Sequence, residues 1–231
     1  MARVTPAIEA TERTGRGAVT IPREAFELEG FRRWHAALGE DAPRVHFLQG
    51  DLHVDMTPQN LRNHLPVTTA INAVLALLAR DHDLGEYFAD GAWLTHEVVG
   101  LSTVPDGLLV RWATFAAGLA RVSAEREDEL QGRPDMVLEV VSRSSATKDE
   151  AVLPALYAAA GIPEYWLVDA RGADAPSLRV LVLEADAYRD APHEAGGWVH
   201  SPVWGRRFRL RATPNPRGGR TFHLEHAPVA G

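Results

Sequence analysis

The sequence predicts an α/β domain, a mixed sheet flanked by helices and extended at its C-terminal end by antiparallel strands. The nearly continuous apolar run Met136–Ser142, bounded by Pro134 and a serine-rich turn, has the character of a strand covered on both faces. A helical stretch from Asp149 to Ala160 follows it, stopped by Gly161 in the usual C′ position and by Pro163 just beyond. Tyr165–Val168 is then a second buried strand, and strand, helix, strand in this order predicts a right-handed parallel crossover. The short apolar segments Leu178–Leu183, Gly197–His200, Arg207–Leu210 and Thr221–Leu224, separated by Pro and Gly, predict the antiparallel extension.

Upstream, residues 1–21 show no sustained periodicity and read as a flexible arm, leaving 22–231 as one domain. Pro22 to Leu38 predicts a helix with Phe26, Phe31, Trp34 and Leu38 on its apolar side. Val45–Val54 reads as a hairpin around the turn Gln49-Gly50. Thr57-Pro58 suits a helix start, with proline tolerated in the first turn and a kink or restart expected at Pro66. Leu65, Ile71, Val74, Leu75 and Leu78 continue that helix at three- and four-residue intervals. Strand character returns at Glu86–Phe88, Ala92–Val98 and Gly107–Trp112, and Ala113–Leu130 is compatible with a helix or a long connection.

Composition excludes several chemistries. The 231 residues contain no cysteine, which removes disulfides, thiol nucleophiles and cysteine-based metal sites. No apolar run approaches the roughly 18 to 20 residues that span a bilayer, and no leader-like segment opens the chain, so the expected compartment is the cytoplasm. A net charge of -7 speaks against general phosphate binding, although arginines cluster at Arg206-Arg207-Arg209-Arg211 and Arg217-Arg220. Among the 24 basic residues only Lys148 is a lysine. That singles it out, because a compact ammonium and a planar guanidinium are not interchangeable at a tight site.

Glu139 is the sharpest anomaly, a carboxylate inside an apolar strand, where burial of its charge costs several kcal/mol unless it is paired or binds a metal. Alternation puts it on one face with Asp135, Val137 and Val141, opposite Met136, Leu138 and Val140. The plain alternative is a strand-edge glutamate paired with an arginine. Pro105-Asp106 introduces another strand and supplies a second carboxylate. Two such oxygen ligands, completed by water and substrate phosphate, suffice for Mg²⁺ or Mn²⁺. Lys148, at the start of the helix after Glu139, would orient or deprotonate the attacking water and offset phosphate charge.

The joint order carries more than any one of these. Pro105-Asp106, then Arg133–Ser145 with Glu139 inside it, then Lys148-Asp149, then Leu156–Asp169 resembles the bacterial "putative restriction endonuclease" family of the PD-(D/E)XK nuclease-like superfamily. The block Pro134–Asp169 carries the resemblance most strongly, and it extends loosely back through Leu101–Asp106 to the helix containing His64. It implies a restriction-endonuclease-like fold, endonuclease activity on DNA, metal carboxylates at Asp106 and Glu139, and a catalytic lysine. Val141 stands where the superfamily pattern has that lysine on the strand, and Leu153 where family members supply it from the helix, so Lys148 is the replacement candidate. His46 and Gln49 stand where relatives carry acidic residues, leaving Asp51 or Asp55 as substitutes.

Other signals carry less. His223 and His226 are three apart in a strand and point to opposite faces, against a zinc site. His64 resembles a recurrent family histidine, but a helix-start or core residue with one hydrogen bond is the favoured reading. Ser142, Ser144 and Ser145 read as capping chemistry, and Glu164-Tyr165-Trp166 as packing. The function reading is a metal-dependent endonuclease, with a homodimer suited to cutting two strands. The alternative is a decayed nuclease fold kept as an interaction or regulatory module.

Overall fold

A two-residue reversal between antiparallel strands needs left-handed backbone at both positions, and Gln49 and Gly50 supply it with φ of 52° and 89°. The computed structural model describes residues 2–4, 20–39, 43–55, 60–172 and 175–229, with the backbone alone at 2–4 and 55. In chain order, β1 (Ala2–Val4) pairs antiparallel with β3 (Asp51–Asp55), which forms the predicted hairpin with β2 (Arg44–Leu48). Thus three residues of the predicted arm join a sheet.

Helix α1 (Leu28–Ala37) follows a 3₁₀ turn at Arg23–Phe26 and buries Phe31. Helix α2 (His64–Asp81) begins just before Pro66, which lies in its first turn, where the missing N–H costs nothing. The expected Thr57-Pro58 start falls outside the described residues. Strands β4 (Gly85–Ala89), β5 (Trp93–His96), β6 (Leu101–Thr103) and β7 (Gly107–Arg111) come next. The stretch 113–130 is not one helix. A short α3 (Trp112–Ala116) gives way to β8 (Ala120–Val122) and β9 (Glu129–Gly132), with Gly118 and Gly132 at positive φ.

The strand, helix, strand order and the parallel pairing of the two strands are as predicted. β10 (Met136–Val141) runs parallel to β11 (Glu164–Asp169), and between them a π-helical turn, Lys148–Val152, leads into α4 (Leu153–Ala159). Gly161 closes α4 at φ 71°. β12 (Ser177–Glu184) and β13 (Ala187–Asp190) follow, then β14 (Val199–Ser201), β15 (Arg206–Pro214) and β16 (Arg220–Pro228), the last three forming the antiparallel extension.

The central sheet has the order β13-β12-β11-β10-β7-β4, antiparallel except for β10 and β11. Met136, Leu138 and Val140 face a core made with Val67, Ile71 and Leu75 of α2 and with Phe208, Leu210 and Phe222 of the extension. Val137 and Val141 face the other core, with Leu153, Leu156 and Tyr157 of α4 and with Leu94 and Leu101 of the second sheet, ordered β1-β3-β2-β6-β5-β9-β8. The alternation read from sequence therefore holds, and it aims Glu139 at α4. Among the described residues no helix is long and apolar enough to cross a membrane.

Candidate active site

Glu139 lies near the middle of β10 and is 3% exposed, so its ionised form must find partners inside the protein. None of them is arginine, against the plain strand-edge reading. The Tyr157 hydroxyl donates to Oε1 at 2.8 Å, and the Lys148 ammonium stands 3.4 Å from Oε2. Lys148, itself 4% exposed, also pairs with Asp149 Oδ1 at 2.8 Å. The π-helical turn puts Lys148 and Asp149 side by side and inward, where an ordinary helical start would splay consecutive side chains.

Asp106 reaches the same wall from the neighbouring strand. β7 pairs antiparallel with β10 through Leu138↔Gly107, so the ladder ends where Asp106 comes opposite Glu139. There the Asp106 Oδ2 accepts the Val140 N–H at 2.7 Å, replacing a backbone acceptor. The His64 ring, at the start of α2, donates through Nε2 to the Val140 carbonyl at 2.9 Å and sits 3.7 Å from Asp106 Oδ2. This one hydrogen bond is the helix-start role allowed for His64.

All of these side chains except Tyr157 line one cavity of about 630 Å³, whose walls also include Arg44, His46, Asn63, Arg143, Ser144 and Arg171. Burial pushes the Asp106 carboxyl up to about 6, against the opposing pull of His64, the Val140 N–H and Lys148. It pushes Glu139 further, to about 8, with Lys148 pulling it down and Asp149 and Asp106 adding to the rise. For Lys148, burial works downward, but Glu139 and Asp149 outweigh it and the net shift is upward, so the ammonium keeps its proton at neutral pH. Lys148 is therefore a charge and a hydrogen-bond donor, not a base, in the free protein.

The sequence reading identified three of these residues and missed others. Asp149, 1% exposed and paired through Oδ1 with the Lys148 ammonium at 2.8 Å, was hidden as an ordinary acid at a helix start. Tyr157 stood only inside the block Leu156–Asp169 that carries the family resemblance, with no role of its own. His46, in the place of an absent acid, is buried with Nδ1 2.8 Å from Thr103 Oγ1 and lines the cavity. Gln49 lies in the hairpin turn, Asp51 does not line the cavity, and the Asp55 side chain is outside the described residues. Leu153 is fully buried in the α4 core and brings nothing to the site.

Could these groups hold a hard divalent cation? Two buried carboxylates whose ionisation is disfavoured, beside a third that shares the Lys148 ammonium with Glu139, form a hard-oxygen wall in which three acids face one buried lysine. Among the described residues no group of three or more His, Cys, Asp or Glu is placed to chelate a metal unaided. The arrangement thus fits a cation that takes one or two carboxylates and completes its shell with water and phosphate oxygens.

Comparison with known proteins agrees with the fold. A putative nuclease belonging to DUF820 from Anabaena variabilis ATCC 29413 superposes with a TM-score of 0.58 at 17% identity, covering 77% of this chain and 90% of that one. No curated protein matches. The family model described as "Putative restriction endonuclease" matches residues 28–210, a span that contains every cavity residue named above. The chain belongs to that nuclease family, Uma2.

Proposed function

We propose that the protein is a metal-dependent endonuclease that hydrolyses phosphodiester bonds in DNA. The observation that carries the reading is the convergence of Asp106, Glu139 and Lys148 on one cavity wall, from a strand end, a strand interior and a helix start. Asp106 and Glu139 would hold Mg²⁺ or Mn²⁺. Bound there, the cation supplies electrophilic stabilisation of phosphate charge and acidifies water in its shell.

The chain's own groups do the rest. The Lys148 ammonium donates to the attacking water or to a phosphate oxygen and offsets the charge that builds on the reacting phosphate. Tyr157, donating to Glu139 Oε1, fixes the carboxylate's rotation and leaves Oε2 facing Lys148. The Val140 N–H orients Asp106 in the same way. His64 fills the Val140 carbonyl and so steadies the peptide between the two carboxylates.

Plasmid DNA incubated with Mg²⁺ or Mn²⁺ tests this, comparing the parent with Asp106→Ala, Glu139→Ala and Lys148→Ala after each is shown to be folded. The expected result is nicking or cutting by the parent that all three changes abolish. No cleavage, with no Mn²⁺ binding by calorimetry, would favour the interaction-module reading.

A further inference from the structure

A protein of net charge -7 cannot draw DNA to an acidic recess by its overall field, so a nuclease of this composition needs local cations beside the site. Among the described residues the cavity wall contains four: Arg44, Arg143, Lys148 and Arg171. Three are already neutralised. Arg44 pairs with Asp90 at 3.1 Å, Arg171 with Asp169 and Glu150 at 2.8 Å each, and Lys148 with Glu139 and Asp149. Arg143 is exposed, lines the cavity, and makes no ion pair or side-chain hydrogen bond to the described residues.

Its base is rigid although its guanidinium has no partner among the described residues. The turn after β10 is locked by its serines: Ser145 Oγ accepts the Ser142 N–H at 2.9 Å, and Ser142 Oγ accepts the Ser145 N–H at 3.0 Å. Arg143 therefore leaves the framework four residues after Glu139 at a defined point, and only its own side chain must be ordered on binding. An arginine fork suits the two free oxygens of a phosphodiester.

We propose that Arg143 anchors the DNA backbone at the cavity mouth by binding a phosphate that flanks the scissile one. This rests on the endonuclease reading above. Arg143 takes no part in holding a cation, so metal binding and DNA binding are separable in it. The contact reads backbone and not base, and it adds affinity without sequence preference.

The test is fluorescence anisotropy with a short fluorescein-labelled DNA duplex, with Ca²⁺ in place of Mg²⁺, at salt from about 50 to 200 mM. Arg143→Ala should weaken binding about tenfold and flatten the slope of log K against log salt by about 0.9, the loss of one phosphate contact. Arg143→Lys should recover most of the affinity as a point charge, and Arg189→Ala, an exposed arginine of β13 outside the cavity, should bind like the parent. Equal affinity and slope for the parent and Arg143→Ala would overturn the proposal. So would equal losses in Arg143→Ala and Arg189→Ala, or a parent that binds no DNA at about 100 µM protein. Calorimetry with Mn²⁺ on the parent and Arg143→Ala reports on the endonuclease reading separately: it fails if the parent binds no Mn²⁺, whatever the anisotropy shows.

Discussion

Asp106 accepts the Val140 N–H at 2.7 Å, so a side chain finishes a strand ladder that the backbone leaves incomplete. Removing the acceptor and removing the charge should then have opposite effects. Asp106→Ala leaves a buried N–H unpaired, at about 1 to 3 kcal/mol. Asp106→Asn keeps an acceptor and abolishes a charge whose ionisation burial resists. In metal-free buffer at pH 8 the Asn variant should melt at or above the parent temperature and the Ala variant below it, while both lose Mn²⁺ binding. An Asn variant that melts like Ala would show that the carboxylate charge itself supports the fold.

Lys148 is the sole cation within reach of both Glu139 and Asp149 among the described ion pairs. Lys148→Ala strands two buried carboxylates and should cost about 3 to 5 kcal/mol, read as a lower urea midpoint at pH 8. The loss should shrink at pH 5, where Glu139 carries its proton in the folded protein anyway. Lys148→Arg keeps the charge but must fit a wide planar fork into a slot that leaves Lys148 4% exposed. It should therefore fail to restore stability or cleavage, and a fully active Arg variant would remove the reason for a lysine here.

Gly107 sits where an added Cβ would lie 2.2 Å from the Tyr87 hydroxyl and 2.9 Å from Asn72 Oδ1. Those two groups are hydrogen-bonded at 2.6 Å, and Asn72 Nδ2 also donates to the Asp106 carbonyl at 3.0 Å. Gly107→Ala must push this pair aside, costing about 1 to 3 kcal/mol, and Asp106 must move with it. Calorimetry should find Mn²⁺ affinity reduced in a variant that still folds. Unchanged affinity would mean that Asn72 does not set the position of Asp106.

The part of this site legible in the sequence is the part that broke a local rule. Glu139 interrupts an apolar strand, Lys148 is the only lysine, and Gly161 with Pro163 ends the helix between the two core strands, so each stood out without any three-dimensional information. Asp149 broke no rule, since an acid near a helix start is ordinary; only the π-helical turn carries it inside. The 113–130 segment misled for a related reason. Its alanines, glutamates and arginines favour helix locally, but Glu129 is drawn into β9 by a buried pairing with Arg32, whose Nη2 lies 2.6 Å from Oε2. That partner is distant in sequence, and propensity does not register it.

Glu164 shows the same dependence on distant partners and makes the last prediction. Read from sequence as packing, it is fully buried at the start of β11. Its carboxyl accepts from Ser201 Oγ and Trp166 Nε1 at 2.5 Å and from the Val203 N–H at 3.1 Å, tying the extension to the central sheet. Burial pushes its pKa up to about 7, with the three donors opposing. A carboxyl raised in the folded state binds its proton more tightly there than in the unfolded chain. Its stabilising contribution is therefore complete below the unfolded value near 4.5 and is lost as pH climbs through about 7. Glu164→Gln imitates the protonated acid and has no such dependence. The melting temperature of the parent relative to Glu164→Gln should accordingly be level below pH 4.5 and fall between there and pH 8, by the equivalent of about 3 kcal/mol. A parent that gains on the Gln variant as pH rises would mean that the three donors outweigh burial and hold Glu164 ionised.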